Sequence, residues 1–267
     1  MTDNSISDGP ELCLDFAPPV AIITVNCPDQ DNRFNPISLL QLGDMVETLR
    51  KRNDIQAVVI TGSGDEWFSA GLMNAEIRAG MTKDDVLDYV VNANRIVDAL
   101  EALPQITIAA INGKIMAGAS EIALACDIRI AGEHSTLMLP EARWGGFPGA
   151  GAPRRLPMAV GHAHALELIA TAKEINAAEM ERIGFVQHVH PKGKVLEAAL
   201  ATAQAIGANG PLATRGAKSI SRARQEPGFR AARELSDTLR YALEWSSDVD
   251  EGLAAAQAGH PAKFTGK

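Results

Sequence analysis

Four short apolar runs set the terms on which this chain can fold. VAIITVN (20–26), IQAVVITGSG (55–64), QITIAAING (105–113) and DIRIAG (127–132) are rich in β-branched residues and end in glycine, proline or a polar turn. Runs of that kind read as strands, and their near-continuous apolar character suits strands buried within a sheet. Helical patterns separate them. ISLLQLGDMVETLRKRND (37–54) has apolar residues at helical spacing with Ser38 as its N-cap, and KDDVLDYVVNANRIVDALEALP (83–104) is a long amphipathic helix stopped by Pro104. WFSAGLMNAEIRAG (67–80) is a loop leading into a helix, and MAGASEIALAC (116–126) is a helix of small residues directly ahead of the fourth run. Strand, helix and strand in succession point to parallel pairing and an α/β fold class.

Downstream the pattern loosens. STLMLPEARWGGFPGAGAPRRL (135–156) reads as a glycine- and proline-rich loop, GHAHALELIATA (161–172) and NAAEMERIG (176–184) as helices, and FVQHVHP (185–191) as a strand. From about residue 194 the pattern is helical, with breaks at Gly210-Pro211 and Pro227-Gly228. No repeat and no long linker interrupts the chain, so its 267 residues form one functional unit: an α/β core followed by a helical tail.

Charge and cysteine content exclude several functions. With 25 basic against 33 acidic residues and a net charge of −8, the chain is no nonspecific nucleic-acid binder, and a polyanionic ligand has to meet a local basic patch. Cys13, Cys27 and Cys126 are odd in number and lack CxxC spacing, which argues against a disulfide framework or thiolate metal site and fits a reducing compartment. The start, MTDNSISDGPEL, has no basic and apolar leader pattern, and no window reaches the length of a membrane span; a cytoplasmic protein is expected.

Familiar site motifs fail on spacing. A GxGxxG beginning at Gly62 would need glycine at Trp67, and one beginning at Gly149 would need it at Arg154. A nucleophile elbow around Ser120 would need glycine at Ile122. His162/His164 and His188/His190 are pairs two residues apart with no further ligand motif, and read as structural or surface residues.

What remains is NGKIMAGASEIALACDIRIAG (112–132), where one acid, Glu121, stands among small and apolar residues. A helix beginning near Gly118 presents the unpaired N–H groups of its first turn, and Glu121, three residues on, lies on the same side. An acid beside a backbone donor is a geometry for stabilising developing negative charge. Taken alone, Glu121 reads first as an exposed acid near a helix N-terminus, where acids are favoured anyway. Two further features point the other way: FSAGL (68–72) is a second glycine turn able to offer an N–H, and Glu141 follows a proline ahead of the long glycine loop. Two donors and two carboxyls suggest one site.

Four blocks, VVITGSGDEWFSAG, AAINGKIMAGASEIALACDIRIAG, LPEARWGGFPGAGAPRRLP and DEGLAAAQAGHPAKF, resemble in order and separation the enoyl-CoA hydratase/isomerase, or crotonase, superfamily over about residues 15–265. The resemblance implies a crotonase-like spiral of ββα turns over residues 11–193, after a flexible N-terminus at 1–10, and a C-terminal helical trimerisation segment at 194–267 that builds homotrimers or dimers of trimers. It places an oxyanion hole on the backbone N–H groups of Leu72 and Gly118, and aligns Glu121 and Glu141 with the two hydratase glutamates. It assigns coenzyme A contacts to Arg33 and the Ala70 backbone, with Phe264 and Lys267 closing on the nucleotide. The substrate it implies is an acyl-CoA thioester, with no separate cofactor, metal, nucleic acid or membrane partner. Hydration of a 2-enoyl-CoA is the activity best matched by a glutamate pair. A double-bond isomerase, which can work with Glu141 alone, and a non-catalytic acyl-CoA- or RNA-binding homologue are the alternatives. The chain departs from the family at Leu72-Met73-Asn74, where a small residue, Asp and Leu are usual, and at Trp144–Phe147, where the family is more aliphatic; both bear on the acyl group accepted.

Overall fold

The computed structural model describes residues 11–263, which places Phe264, Lys267 and the 1–10 segment outside the described residues. In chain order the strands are β1 (Leu12–Ala17), β2 (Val20–Val25), β3 (Ala57–Gly62), β4 (Trp67–Ser69), β5 (Ile106–Ile111), β6 (Lys114–Met116), β7 (Ile128–Gly132), β8 (Thr136–Met138), β9 (Ile175–Asn176) and β10 (His188–His190). The helices are α1 (Pro36–Arg50), α2 (Ala75–Ala79), α3 (Lys83–Glu101), α4 (Gly118–Ala125), α5 (Ala152–Val160), α6 (His162–Thr171), α7 (Ala177–Arg182), α8 (Val195–Gly207), α9 (Pro211–Glu244) and α10 (Ser247–Ala258).

Two sheets share the strands. The larger has the order β1-β2-β3-β5-β7-β10 and the smaller β4-β6-β8-β9. β2, β3, β5, β7 and β10 run parallel, as do β4, β6 and β8. Three times the chain lays a strand in the larger sheet, turns within a few residues into the smaller sheet and returns through helix: β3-β4, β5-β6 and β7-β8. This is the spiral of ββα turns.

The four apolar runs become the centre of the larger sheet because both of its faces are covered. Ile23, Val58, Ile60, Ala109 and Ile111 point into the main core against helices that include α1, α3 and α4, whereas Val20, Ala57, Val59, Ile108 and Ile130 meet Val195, Ala199 and Ala203 of α8. Side chains alternate between faces, so a strand buried on both has no polar alternation to show. Each large aliphatic side chain fully buried here contributes about 1.5–3 kcal/mol. α8, the first helix of the tail, thus packs as part of the core.

Three expectations change. α1 is capped by Asn35, not Ser38: the Asn35 side chain accepts from the N–H groups of Ile37 and Ser38 (both 2.9 Å), and Ser38 Oγ accepts from Asn35 N (2.9 Å). Pro36 occupies the first helical position, where its missing N–H costs nothing, so the helix starts earlier than the apolar spacing suggests. The 135–156 stretch is not one loop, since it contains β8, a 3₁₀ turn at Glu141–Trp144 and the start of α5. α9 continues through Pro227-Gly228 without a break. A proline inside a helix costs about 3 kcal/mol; the helix is tied to the rest of the chain on both sides of it, where Lys218 Nζ reaches Asp127 (2.6 Å) and Arg233 pairs with Asp98. Among the described residues no helix is long and apolar enough to cross a membrane.

Candidate active site

The three site segments that are far apart in sequence follow three neighbouring strands of the smaller sheet. β4 runs into Ala70–Leu72, β6 into Ala117-Gly118, and β8 into Leu139–Glu141. Because β4, β6 and β8 are parallel neighbours, their C-terminal ends lie side by side. Open α/β sheets bind ligands beyond such ends. A cavity of about 250 Å³ opens there and is lined by Leu72, Gly118, Glu121 and Glu141, together with Arg33 and Tyr89. The four residues proposed for chemistry from sequence therefore share one cavity.

Gly118 is the first residue of α4, so its N–H has no preceding turn to bond within the helix. Ala117, just before it, takes a left-handed φ of 51°, turning the chain sharply from β6 into the helix. The opposite loop turns at Gly71, whose φ is 98°. A Cβ at Gly71 would stand 2.8 Å from Met116 O and 3.1 Å from Gly118 N, so only glycine lets the two loops approach this closely.

Glu121 is not an exposed helix-end acid. It is 2 % exposed, because every residue of α4 is buried. Its Oε1 accepts from the N–H of Ala152 (2.8 Å), the first residue of α5, so the positive end of a second helix faces the carboxylate. Burial raises the Glu121 carboxyl above the ordinary glutamate range. The backbone bonds from Ala152 and Ala150 and the charges of Arg155 and Arg154 pull in the other direction without cancelling it. Glu141 opens the 3₁₀ turn after Pro140 and is half-buried at the cavity wall.

The remaining assignments divide. Arg33 lines the cavity, but its Nη1 donates to Ala70 O (2.8 Å) and Met73 O (3.1 Å). Ala70 is fully buried, with its N–H on Asp31 O (2.9 Å) and its carbonyl on Arg33, so both of its hydrogen-bonding groups are engaged inside the protein. Phe264 and Lys267 lie outside the described residues. Trp144 and Phe147 line the cavity.

Two contributors are not among the site residues expected from sequence. Tyr89 of α3 lines the cavity and donates from its hydroxyl to Leu72 O (2.7 Å). Its signal is a hydroxyl within the buried stripe Val86, Tyr89, Ala93, Ile96, Val97 and Leu100, because a buried tyrosine O–H needs a partner. The second is α10, which closes the cavity with Val249, Leu253 and Ala256. Its start is tied to α3 by Lys83 Nζ to Asp250 (3.1 Å), and Glu244 at the end of α9 pairs with Arg78 of α2.

Comparison with known proteins bears on this arrangement. The enoyl-CoA hydratase/isomerase family model matches residues 15–267. YngF of Bacillus subtilis is 36 % identical over 247 residues, covering 92 % of this chain and 95 % of its own length. A short-chain-enoyl-CoA hydratase of Clostridium acetobutylicum is 34 % identical, covering 77 % of this chain and 79 % of its own. The crystal structure of an enoyl-CoA hydratase from Bacillus anthracis superposes with a TM-score of 0.79 at 33 % identity, covering 97 % of this chain and 100 % of that one.

Proposed function

The chain belongs to the enoyl-CoA hydratase/isomerase family, and on that premise we propose that it adds water reversibly across the double bond of a 2-enoyl-CoA thioester. The observation that carries this reading is the convergence of Glu121, Glu141, Leu72 and Gly118 on one cavity. The backbone N–H groups of Leu72 and Gly118 receive the thioester oxygen, where charge builds as an enolate forms. Glu121 takes a proton from water as its oxygen attacks C3, and Glu141 delivers a proton to C2. One proton is gained and one lost, so transfer between the two carboxyls resets the pair.

The apolar walls contributed by Val90, Ala93, Phe147, Val249 and Leu253 suit an apolar acyl group, and the Leu72 side chain narrows the space beside the carbonyl. Arg33 has guanidinium donors besides Nη1 with which to meet a coenzyme A phosphate, and Phe264 and Lys267 are proposed to close on the nucleotide. Large exposed apolar side chains on α5 and α9, Met158, Leu212 and Ile220, support assembly as a homotrimer or a dimer of trimers. Light scattering of the purified protein checks this, and a monomer would overturn it.

The activity is tested by loss of conjugated-thioester absorbance across a panel of 2-enoyl-CoAs, with product masses read for one added water. Double-bond migration without added water would replace the hydratase reading with isomerase. A pH dependence follows from Glu121. As a base it works ionised, and burial holds its carboxyl above the ordinary 4.5, so kcat/KM falls on the acid side through an apparent pKa higher than that value. A profile that stays flat down to pH 4.5 would remove Glu121 from the role of base.

A further inference from the structure

Four consecutive carbonyls in the loop between β4 and α2 are each held by a donor from elsewhere in the chain. Ala70 O and Met73 O accept from Arg33 Nη1 (2.8 and 3.1 Å), Gly71 O accepts from Phe34 N (2.9 Å), and Leu72 O accepts from the Tyr89 hydroxyl (2.7 Å). A peptide unit is planar and trans, so fixing a carbonyl aims the N–H of the next residue the opposite way. The bond at Gly71 O therefore sets the direction of the Leu72 N–H. The bond at Leu72 O fixes the following plane, so the loop is pinned on both sides of the Leu72 Cα.

We infer that Tyr89, supported by Arg33, is a positioning residue that steadies the loop around Leu72 and so keeps the Leu72 N–H, whose direction Phe34 N sets through Gly71 O, on the thioester oxygen; this rests on the hydratase reading above. Tyr89 lines the cavity, yet its single hydroxyl proton is directed into the protein, at Leu72 O (2.7 Å) with Phe34 O (3.4 Å) beside it. It acts on the reaction through the loop, not on the substrate. Burial pushes the phenol above its ordinary pKa, so it remains a donor across the working range. A donor held in place before charge develops needs no reorganisation when the enolate forms, and a donor free to swing loses that advantage.

Tyr89→Phe keeps the ring and its packing and removes only the hydroxyl. The expected result is a kcat for water addition lower by about tenfold or more with KM changed by about twofold at most, since misaimed donors cost transition-state more than ground-state binding. A second readout separates aim from packing. A 2-enoyl thioester of coenzyme A bearing a 4-aminocinnamoyl chromophore absorbs at longer wavelength when its carbonyl is polarised, and Tyr89→Phe should bind it with a smaller red shift than the wild type. Arg33→Lys, which offers one compact ammonium to two carbonyls, should move kcat and red shift in the same direction and supplies the reading if Tyr89→Phe does not fold. A wild-type red shift retained in full by both variants overturns the clamp and leaves the hydratase reading standing. No red shift in the wild type, with no water added to any 2-enoyl-CoA, overturns the oxyanion reading and the clamp with it.

Discussion

Glu121→Gln and Glu141→Gln each lower water addition to a 2-enoyl-CoA by about 10³-fold, the scale on which a positioned acid or base contributes. Loss in both variants is what separates hydration from double-bond migration, which can run on the single carboxyl at 141. The two variants should part company in stability. Glu121 is 2 % exposed and its carboxyl is raised by burial, so the folded state holds this proton more tightly than the unfolded chain does. Stability is then highest when the carboxyl is protonated and declines as pH rises from the ordinary 4.5 through the folded value. The side chain introduced by Glu121→Gln is neutral at every pH, and its amide oxygen can still accept from Ala152 N. That variant should therefore have a higher thermal midpoint than the wild type at pH 7, with a gap that closes toward pH 4.5. Scanning calorimetry at the two pH values, beside the absorbance assay, reads both effects. A Glu121→Gln protein that hydrates within about tenfold of the wild type would take Glu121 out of the chemistry. One that is less stable at pH 7 than at pH 4.5 relative to wild type would mean that the ionised form is the one the fold prefers.

The burial that sets the stability cost at Glu121 also decides which parts of the molecule sequence alone can describe. β2, β3, β5 and β7 are legible because burial on both faces writes a continuous apolar run. β4, β6 and β8 are not. They are three residues each, WFS, KIM and TLM, too short for alternation to register. Yet these are the strands whose ends bring 70–72, 117–118 and 139–141 together, so the sequence suggests one site only through its two glycine turns and two carboxyls, and says nothing of the strands that join them. Glu121 shows the same division. Local preference alone favours an exposed acid at a helix start, and only the packing of α4 among α3, α5 and β6 buries it. Pro227-Gly228 fails in the opposite sense. The local breaker does not end the helix, which is tied by Lys218 to Asp127 before it and by Arg233 to Asp98 after it.

Gly118→Ala is expected to reduce kcat for water addition by about 10²-fold or more, the cost of losing one oxyanion donor. The reason is spatial. Gly118 lies in helical conformation, where alanine is favoured over glycine, so backbone strain is no objection. A Cβ there would stand 2.3 Å from Leu72 Cγ and 2.6 Å from Leu72 Cδ1, well inside contact distance. The Leu72 side chain packs in the main core and borders the cavity, but the clash reaches its Cβ (3.0 Å), which no rotamer change moves, and its backbone is held by Phe34 N at Gly71 O and by Tyr89 at Leu72 O. Relief must come from parting the start of α4 from the loop, which separates the two N–H groups proposed to meet one oxygen. The contact with Leu72 makes the effect testable in a double-mutant cycle: Leu72→Ala keeps its N–H and should retain activity, and Leu72→Ala with Gly118→Ala should recover most of what Gly118→Ala loses. Contacting residues couple by about 0.5–3 kcal/mol, roughly 2- to 150-fold in rate. A double variant no faster than Gly118→Ala alone would show that the contact with Leu72 is not what makes glycine necessary at 118.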